Sequence, residues 1–349
     1  MPITLEQAKV GMADKVDQQV IDEFRRNSLL LDRMIFDNAV SPGTGGSTLA
    51  YGYVRLQTPA RAQFRNINEE YTPQVADRED HIAKLKIFGG SFDIDRVIAE
   101  TSGAVDEVQF QLQEKIKAAS NLFHYTVING DSAGDSKAFD GLDKALEGSS
   151  TELNTDSYID LSDTNALDTN YKAFMDMLDD FLSELDGKPT FLLGNSKLMT
   201  KIRAVARRAG YLTPSEDAFG RKVDTFDGIP LIDLGYYVDE NGLTIPTVKI
   251  EEREIGENTV SGGEGTVSGG EGTVSGGENT VSGLTDLYAV RLGLDGFHGA
   301  TVTGNRIIRT YLPDFTQPGA VKKGEVEMIA AVVLKATRAA GVLRNIKVV

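Results

Sequence analysis

Residues 105–131 read VDEVQFQLQEKIKAASNLFHYTVINGD. Val105, Val108, Leu112, Ile116, Ala119, Phe123 and Val127 recur at three- and four-residue steps, the spacing that puts side chains on one stripe of an α-helix. The intervening Asp106, Glu107, Gln111, Glu114, Lys115 and Lys117 fall elsewhere on the surface. At 1.5 Å per residue such a helix is roughly 35 Å long. Asn129-Gly130 is a helix-ending pair, and a left-handed Gly130 is expected as its cap.

Upstream of this helix the pattern is extended. Leu49, Tyr51 and Tyr53 alternate on one side, and Ala83, Leu85 and Ile87 alternate on the return. Between them lies a polar tip with Pro59, Pro73 and Asp77-Arg-Glu-Asp80. The whole reads as a long two-stranded ribbon. A lone ribbon is marginal in water, so something must cover its apolar side. The residues leave open whether that cover is its own domain or a neighbouring chain. Earlier still, residues 4–39 read as a helical arm, with Thr4 and Gln7 at capping-box spacing and a break at Ser41-Pro-Gly-Thr-Gly-Gly46.

Downstream, residues 131–190 hold 15 acids against four lysines. They carry a helix near 168–186 with Phe174, Met177 or Leu178, and Phe181 inward. The strand Thr190-Phe-Leu-Leu193 follows, and then a helix capped by Asn195 or Ser196 and ending at Gly210. That helix buries Leu198, Ile202 and Val205 and shows Lys197, Lys201, Arg203, Arg207 and Arg208 on its other face. Strand and helix alternate here, as in a compact α/β unit. Residues 256–283 are four heptads, GENTVSG, GEGTVSG, GEGTVSG and GENTVSG, too rich in Gly for a coiled coil and read as a surface loop expanded by duplication. The last 49 residues are strand-like and carry eight Lys or Arg against three acids.

Composition narrows the function classes. The chain has 349 residues, room for about two domains. A formal charge of −16 disfavours a general nucleic-acid binder. With no cysteine there is no disulfide, thiol nucleophile or Cys-ligated metal, and three histidines leave little for a multi-His site. The start has no signal-peptide pattern, and the longest wholly apolar run, Met328 to Leu334, is far short of a membrane span. No phosphate loop, HExxH or EF-hand loop is present. Gly194-Asn-Ser-Lys-Leu198 is a near miss to a nucleophile elbow, so a serine hydrolase using Ser196 and His298 is the distant enzyme reading.

In order, these elements resemble the major capsid proteins of tailed bacteriophages, the Hong Kong 97-type fold. The likeness is carried by the long helix into Val127-Ile-Asn-Gly-Asp131 and Phe139-Asp-Gly-Leu142, by Phe191-Leu-Leu-Gly-Asn-Ser to Gly210-Tyr-Leu212, by Asp227-Gly-Ile-Pro-Leu231, and by the ribbon. It covers roughly residues 20–349 outside the heptads. It implies an α+β chain divided into a helical arm (1–46), an extended loop (47–92), a peripheral domain (93–130 and 301–349) and an inserted axial domain (131–300) containing the heptads at 256–283. It implies a non-enzymatic subunit, without cofactor or metal, that forms pentamers and hexamers of an icosahedral virion shell around double-stranded DNA. Assembly would occur in the cytoplasm of a bacterial host with a portal and a separate scaffolding protein, and without a membrane. An encapsulin enclosing cargo enzymes is the alternative of the same shape. Tyr51, Tyr53, Arg61, Arg65, Glu69, Glu70 and Arg78 of the ribbon are the candidate intersubunit contacts, with Lys197, Lys201, Arg207 and Arg208 of the basic helix. Some family members fuse a loop lysine to a neighbour's asparagine. Ser47 to Ala83 contain no lysine, so no such crosslink is expected.

Overall fold

The structure, a computed structural model, describes residues 29–40, 46, 48–58, 62–73, 75, 77–101, 106–210, 214–216, 222–239, 241–255, 280–302 and 308–349. The capping box at Thr4 and Gln7 and the heptads up to Asn279 lie outside these residues. Of the arm read as helix, Leu29–Arg33 is helical, but Phe36–Ala39 is a strand running parallel to Phe297–Val302.

Two sheets organise the chain. The outer, five-stranded sheet has the order Phe36–Ala39, Phe297–Val302, Val321–Leu334, Ile308–Tyr311, and Lys86–Asp95 also pairs with Val321–Leu334. The central, nine-stranded sheet runs Glu152–Leu153, Ala340–Lys347, Thr280–Val290, Phe191–Gly194, Ile229–Asp233, Lys222–Phe226, Pro214–Glu216, with Glu251–Glu254 and Ile159–Asp160 paired at its side. The last strand, Ala340–Lys347, therefore belongs to the sheet built from residues 152–290, although sequence grouped 301–349 with the long helix. Its residues Ala340 to Leu343, Asn345 and Ile346 are buried, and this two-sided burial is what a central strand requires. Phe297–Val302, which the 300 boundary divides, conversely lies whole in the outer sheet.

The long helix spans Glu107–Asn129, with Asp106 accepting the Val108 and Gln109 amides at 3.0 and 3.3 Å. Its Phe123 is the hub of the outer core, 5.9 Å from Phe88, 5.8 Å from Phe139 and 6.1 Å from Phe36 between ring centroids. These are spacings at which aromatic pairs add to simple burial. Only the C-terminal half of the expected stripe is fully covered: Ala119, Phe123 and Val127 are buried, whereas Val108, Leu112 and Ile116 are half-buried. The helix end also differs from expectation. Gly130 has φ −63°, so left-handed freedom is not what it supplies. A Cβ there would stand 2.1 Å from the Phe139 carbonyl oxygen, so glycine is needed for close backbone approach.

In the central unit, helix Thr164–Ser183 buries Phe174, Leu178 and Phe181. Helix Ser196–Ala209 buries Leu198, Ile202 and Val205, is capped by Asn195 through the Leu198 amide at 2.9 Å, and ends at Gly210 with φ 77°. The central sheet is locked by a buried charge node. Asp286, 2% exposed, takes both ends of the Arg253 guanidinium at 2.7 and 2.9 Å and Arg344 Nη1 at 2.9 Å. Arg344 also reaches Glu152 at 2.8 Å and Asp143, whose carboxylate accepts the Tyr288 hydroxyl at 2.8 Å. Five separate segments are thereby tied together, with each guanidinium paired to at least one carboxylate, the condition under which buried ions are tolerated.

Candidate intersubunit surface

The ribbon consists of Ala50–Thr58 and Asp77–Lys84, antiparallel to one another and paired with no other described strand. Its root is anchored on its own chain. The Tyr51 hydroxyl donates to Asp37 Oδ2 at 2.6 Å, its ring meets His298 edge-on at 5.7 Å, and the Lys335 ammonium sits 5.3 Å from the ring centroid. The hydrogen bond from Tyr51 holds the Asp37 carboxyl below its usual range, and burial pushes the Tyr51 phenol up. Tyr53 stacks on His81 at 5.5 Å, and Arg55 donates to the Leu334 carbonyl at 2.6 Å. Leu85 closes the root, 4% exposed.

The tip is the opposite. Read from sequence as polar, it presents Phe64 at 106%, Ile67 at 89%, Val75 at 87% and Tyr71 at 57% exposure. Its shape is set locally. Glu69 Oε2 accepts the Asn66 amide and side-chain NH2 at 3.2 and 3.0 Å, Arg65 donates to the Asn66 and Glu69 carbonyls, and the Arg65 guanidinium lies over Tyr71 at 5.3 Å. Asn68 takes the left-handed conformation, φ 68°, a geometry Asn tolerates in turns. A polar frame therefore holds these apolar side chains outward.

The candidate contacts divide accordingly. Tyr51 is buried and Tyr53 half-buried at the root against their own chain; Arg65 and Glu69 shape the tip; Glu70 and Arg78 are exposed; Arg61 lies outside the described residues. On helix Ser196–Ala209, Arg208 pairs with Asp168 at 2.5 Å and Lys201 donates to the Ser162 carbonyl, so both are engaged within the chain. Arg203, not among the candidates, pairs with Asp224 at 2.7 Å. Lys197 and Arg207 remain exposed. The tip hydrophobics were missed because Phe64, Ile67 and Val75 have no regular spacing, and the only available signal was their isolation among polar residues.

The hydrolase pair does not assemble. Ser196 Oγ lies 3.1 Å from the Tyr236 hydroxyl, while among the described residues the ring nitrogens of the buried His298 have no hydrogen-bond partner. Among the described residues no group of three or more His, Asp or Glu is placed to hold a metal ion, and no helix is long and apolar enough to cross a membrane.

No family model matches the chain, and no curated protein matches it in sequence. Solved structures do match in fold. The holo-SrpI encapsulin complex from Synechococcus elongatus PCC 7942 aligns over 100% of this chain and 97% of its own, with 14% identity and a TM-score of 0.59. The capsid of a native GTA particle aligns over 95% and 96%, with 13% identity and a TM-score of 0.55. A structure of Microbacterium phage Oxtober96 aligns over 99% and 100%, with 11% identity and a TM-score of 0.54. The architecture is thus the Hong Kong 97-type fold that the sequence motifs resemble.

Proposed function

We propose that the chain is a shell subunit, a phage-type major capsid protein that assembles with itself into pentamers and hexamers of an icosahedral particle around double-stranded DNA. The observation carrying this reading is the ribbon: its root is fastened to its own body, and its tip holds Phe64, Ile67 and Val75 in solvent. A copy-to-copy contact that covers them supplies the burial a lone ribbon lacks. The half-buried Val108, Leu112 and Ile116 of the long helix point the same way. A charge of −16 suits a container wall, because a surface that gripped phosphate tightly would hold its contents in place. On this reading the partners are further copies, a scaffolding protein and a portal, and the site of action is the virion, built in a bacterial cytoplasm.

An encapsulin is the second reading, favoured by the likeness to the Synechococcus shell over the full length of both chains. Purified particles separate the two. Nuclease-protected DNA inside supports the capsid; a co-purifying enzyme without DNA supports the encapsulin. Absence of particles under negative-stain microscopy, with and without a candidate scaffold, counts against both.

A further inference from the structure

Between the ribbon root and the loop after the long helix lies a cleft of about 660 Å³, within the range of small-ligand sites. Its walls are cationic in a chain that is otherwise strongly acidic. Arg55, Lys84 and Lys86 enter it from the ribbon side, and Lys144 from the body. Among the described residues the one carboxylate in its lining is Asp140, which holds Lys144 at 2.9 Å and the Ser132 amide at 2.8 Å; Asp131 also pairs with Lys144, so the free positive charge is that of Arg55, Lys84 and Lys86.

Arg55 is the distinctive group. Its Nη2 bonds the Leu334 carbonyl, but its Nε is buried with no acceptor, and among the described residues no carboxylate pairs with it. Glu79, its cross-strand partner in the ribbon, is exposed, with one carboxylate oxygen 3.4 Å from His81 Nε2. Lys84 is exposed and has no partner among the described residues, and Lys86 donates only to the Ser136 carbonyl. The half-buried Arg55 guanidinium, with no described carboxylate beside it, carries a charge that an oxyanion in the cleft would compensate.

We infer that this cleft is a binding site for a phosphate-type oxyanion, held by Arg55, Lys84 and Lys86 and pinning the ribbon root to the loop carrying Ser132 and Ser136. With Arg55 Nη2 held by the Leu334 carbonyl and Nε buried, Nη1 is the donor left to the anion, and the two lysines supply charge without fixed geometry. The inference goes beyond the shell reading and does not depend on it.

The test is isothermal titration of the full chain with inorganic phosphate, against sodium chloride at matched ionic strength, with hydrogen exchange read on the same samples. Saturable binding to phosphate and not chloride is expected, with slowed exchange in residues 50–58 and 77–84. Arg55→Gln should weaken it by about tenfold or more, the factor for losing one charge-assisted hydrogen bond. Arg338→Gln, on another face, should leave it unchanged. Should Arg55→Gln fail to fold, Lys84→Gln, an exposed position, carries the same expectation. Absence of saturable binding, equal affinity in the folded Arg55 or Lys84 variant, or protection confined to other segments overturns the inference.

Discussion

Replacing Phe64 with Asp separates folding from assembly. In the single chain Phe64 is fully exposed, so the substitution removes no intramolecular packing and should change subunit stability by no more than about 0.5 kcal/mol. If a neighbouring copy covers the ring, assembly loses about 1.5–3 kcal/mol of burial at each such contact. Placing a carboxylate there adds a desolvation cost of at least about 1–3 kcal/mol. A combined loss near 3–5 kcal/mol weakens each contact by at least about a hundredfold, and every copy in a lattice bears it. The assay pairs a thermal melt of the unassembled subunit with size-exclusion chromatography and negative-stain counts of particles. The expected result is an unchanged melt with particles lost, and Phe64→Ala should be intermediate. Particles at the normal yield from a folded Phe64→Asp chain would refute the reasoning.

Four further outcomes are expected. Asp286→Ala leaves Arg253 and Arg344 without their shared carboxylate and should destabilise the subunit by about 3–5 kcal/mol in denaturant titration; a loss under 1 kcal/mol would show that the node is not buried as described. His124 is buried in the long helix, and burial lowers its pKa to about 4 from the ordinary 6.5. The neutral ring is thus favoured in the fold, and its contribution is complete above pH 6.5 and lost as pH falls toward 4, by roughly 3 kcal/mol in all. His124→Leu should flatten that part of the stability profile, and an unchanged acid slope would contradict the assignment. Deleting 256–276 leaves Glu254 and Thr280, paired in the structure, joined by four residues, an ordinary hairpin connection, so assembly should persist on microscopy. A denaturing gel of mature particles should show single chains, because Lys84 and Lys86 stand at the ribbon root rather than at its tip.

How far the molecule could be read from its sequence depended on how local each signal is. Phe174, Leu178 and Phe181, or Ala119, Phe123 and Val127, declare a helix face within a few turns, and Asn195 declares a cap in four residues. The strand character of residues 342–349 was equally plain, but its partner was not. Pairing Tyr288 with Val342 joins segments far apart in the chain, and nothing in either strand names the other. The Asp286–Arg344 node was invisible for the same reason. Phe36–Ala39 is too short for alternation to show, and only its edge position beside Phe297–Val302 makes it a strand. The C-terminal end of the heptad segment was misjudged because Thr280 to Gly283 repeat the loop's own sequence yet begin the strand Thr280–Val290. For the candidate surface, the ribbon was legible from its alternation. Which of its residues face solvent was not, since Tyr51 and Phe64 are both aromatic and only the anchoring of the root distinguishes them.

Cryo-electron microscopy of particles formed by the full chain, at a resolution that shows side chains, tests the central claim most directly. The expected map has Phe64, Ile67 and Val75 of each ribbon seated against an adjacent copy. A homogeneous single-chain species that forms no particles, or particles whose ribbon tips stay in solvent, would contradict it.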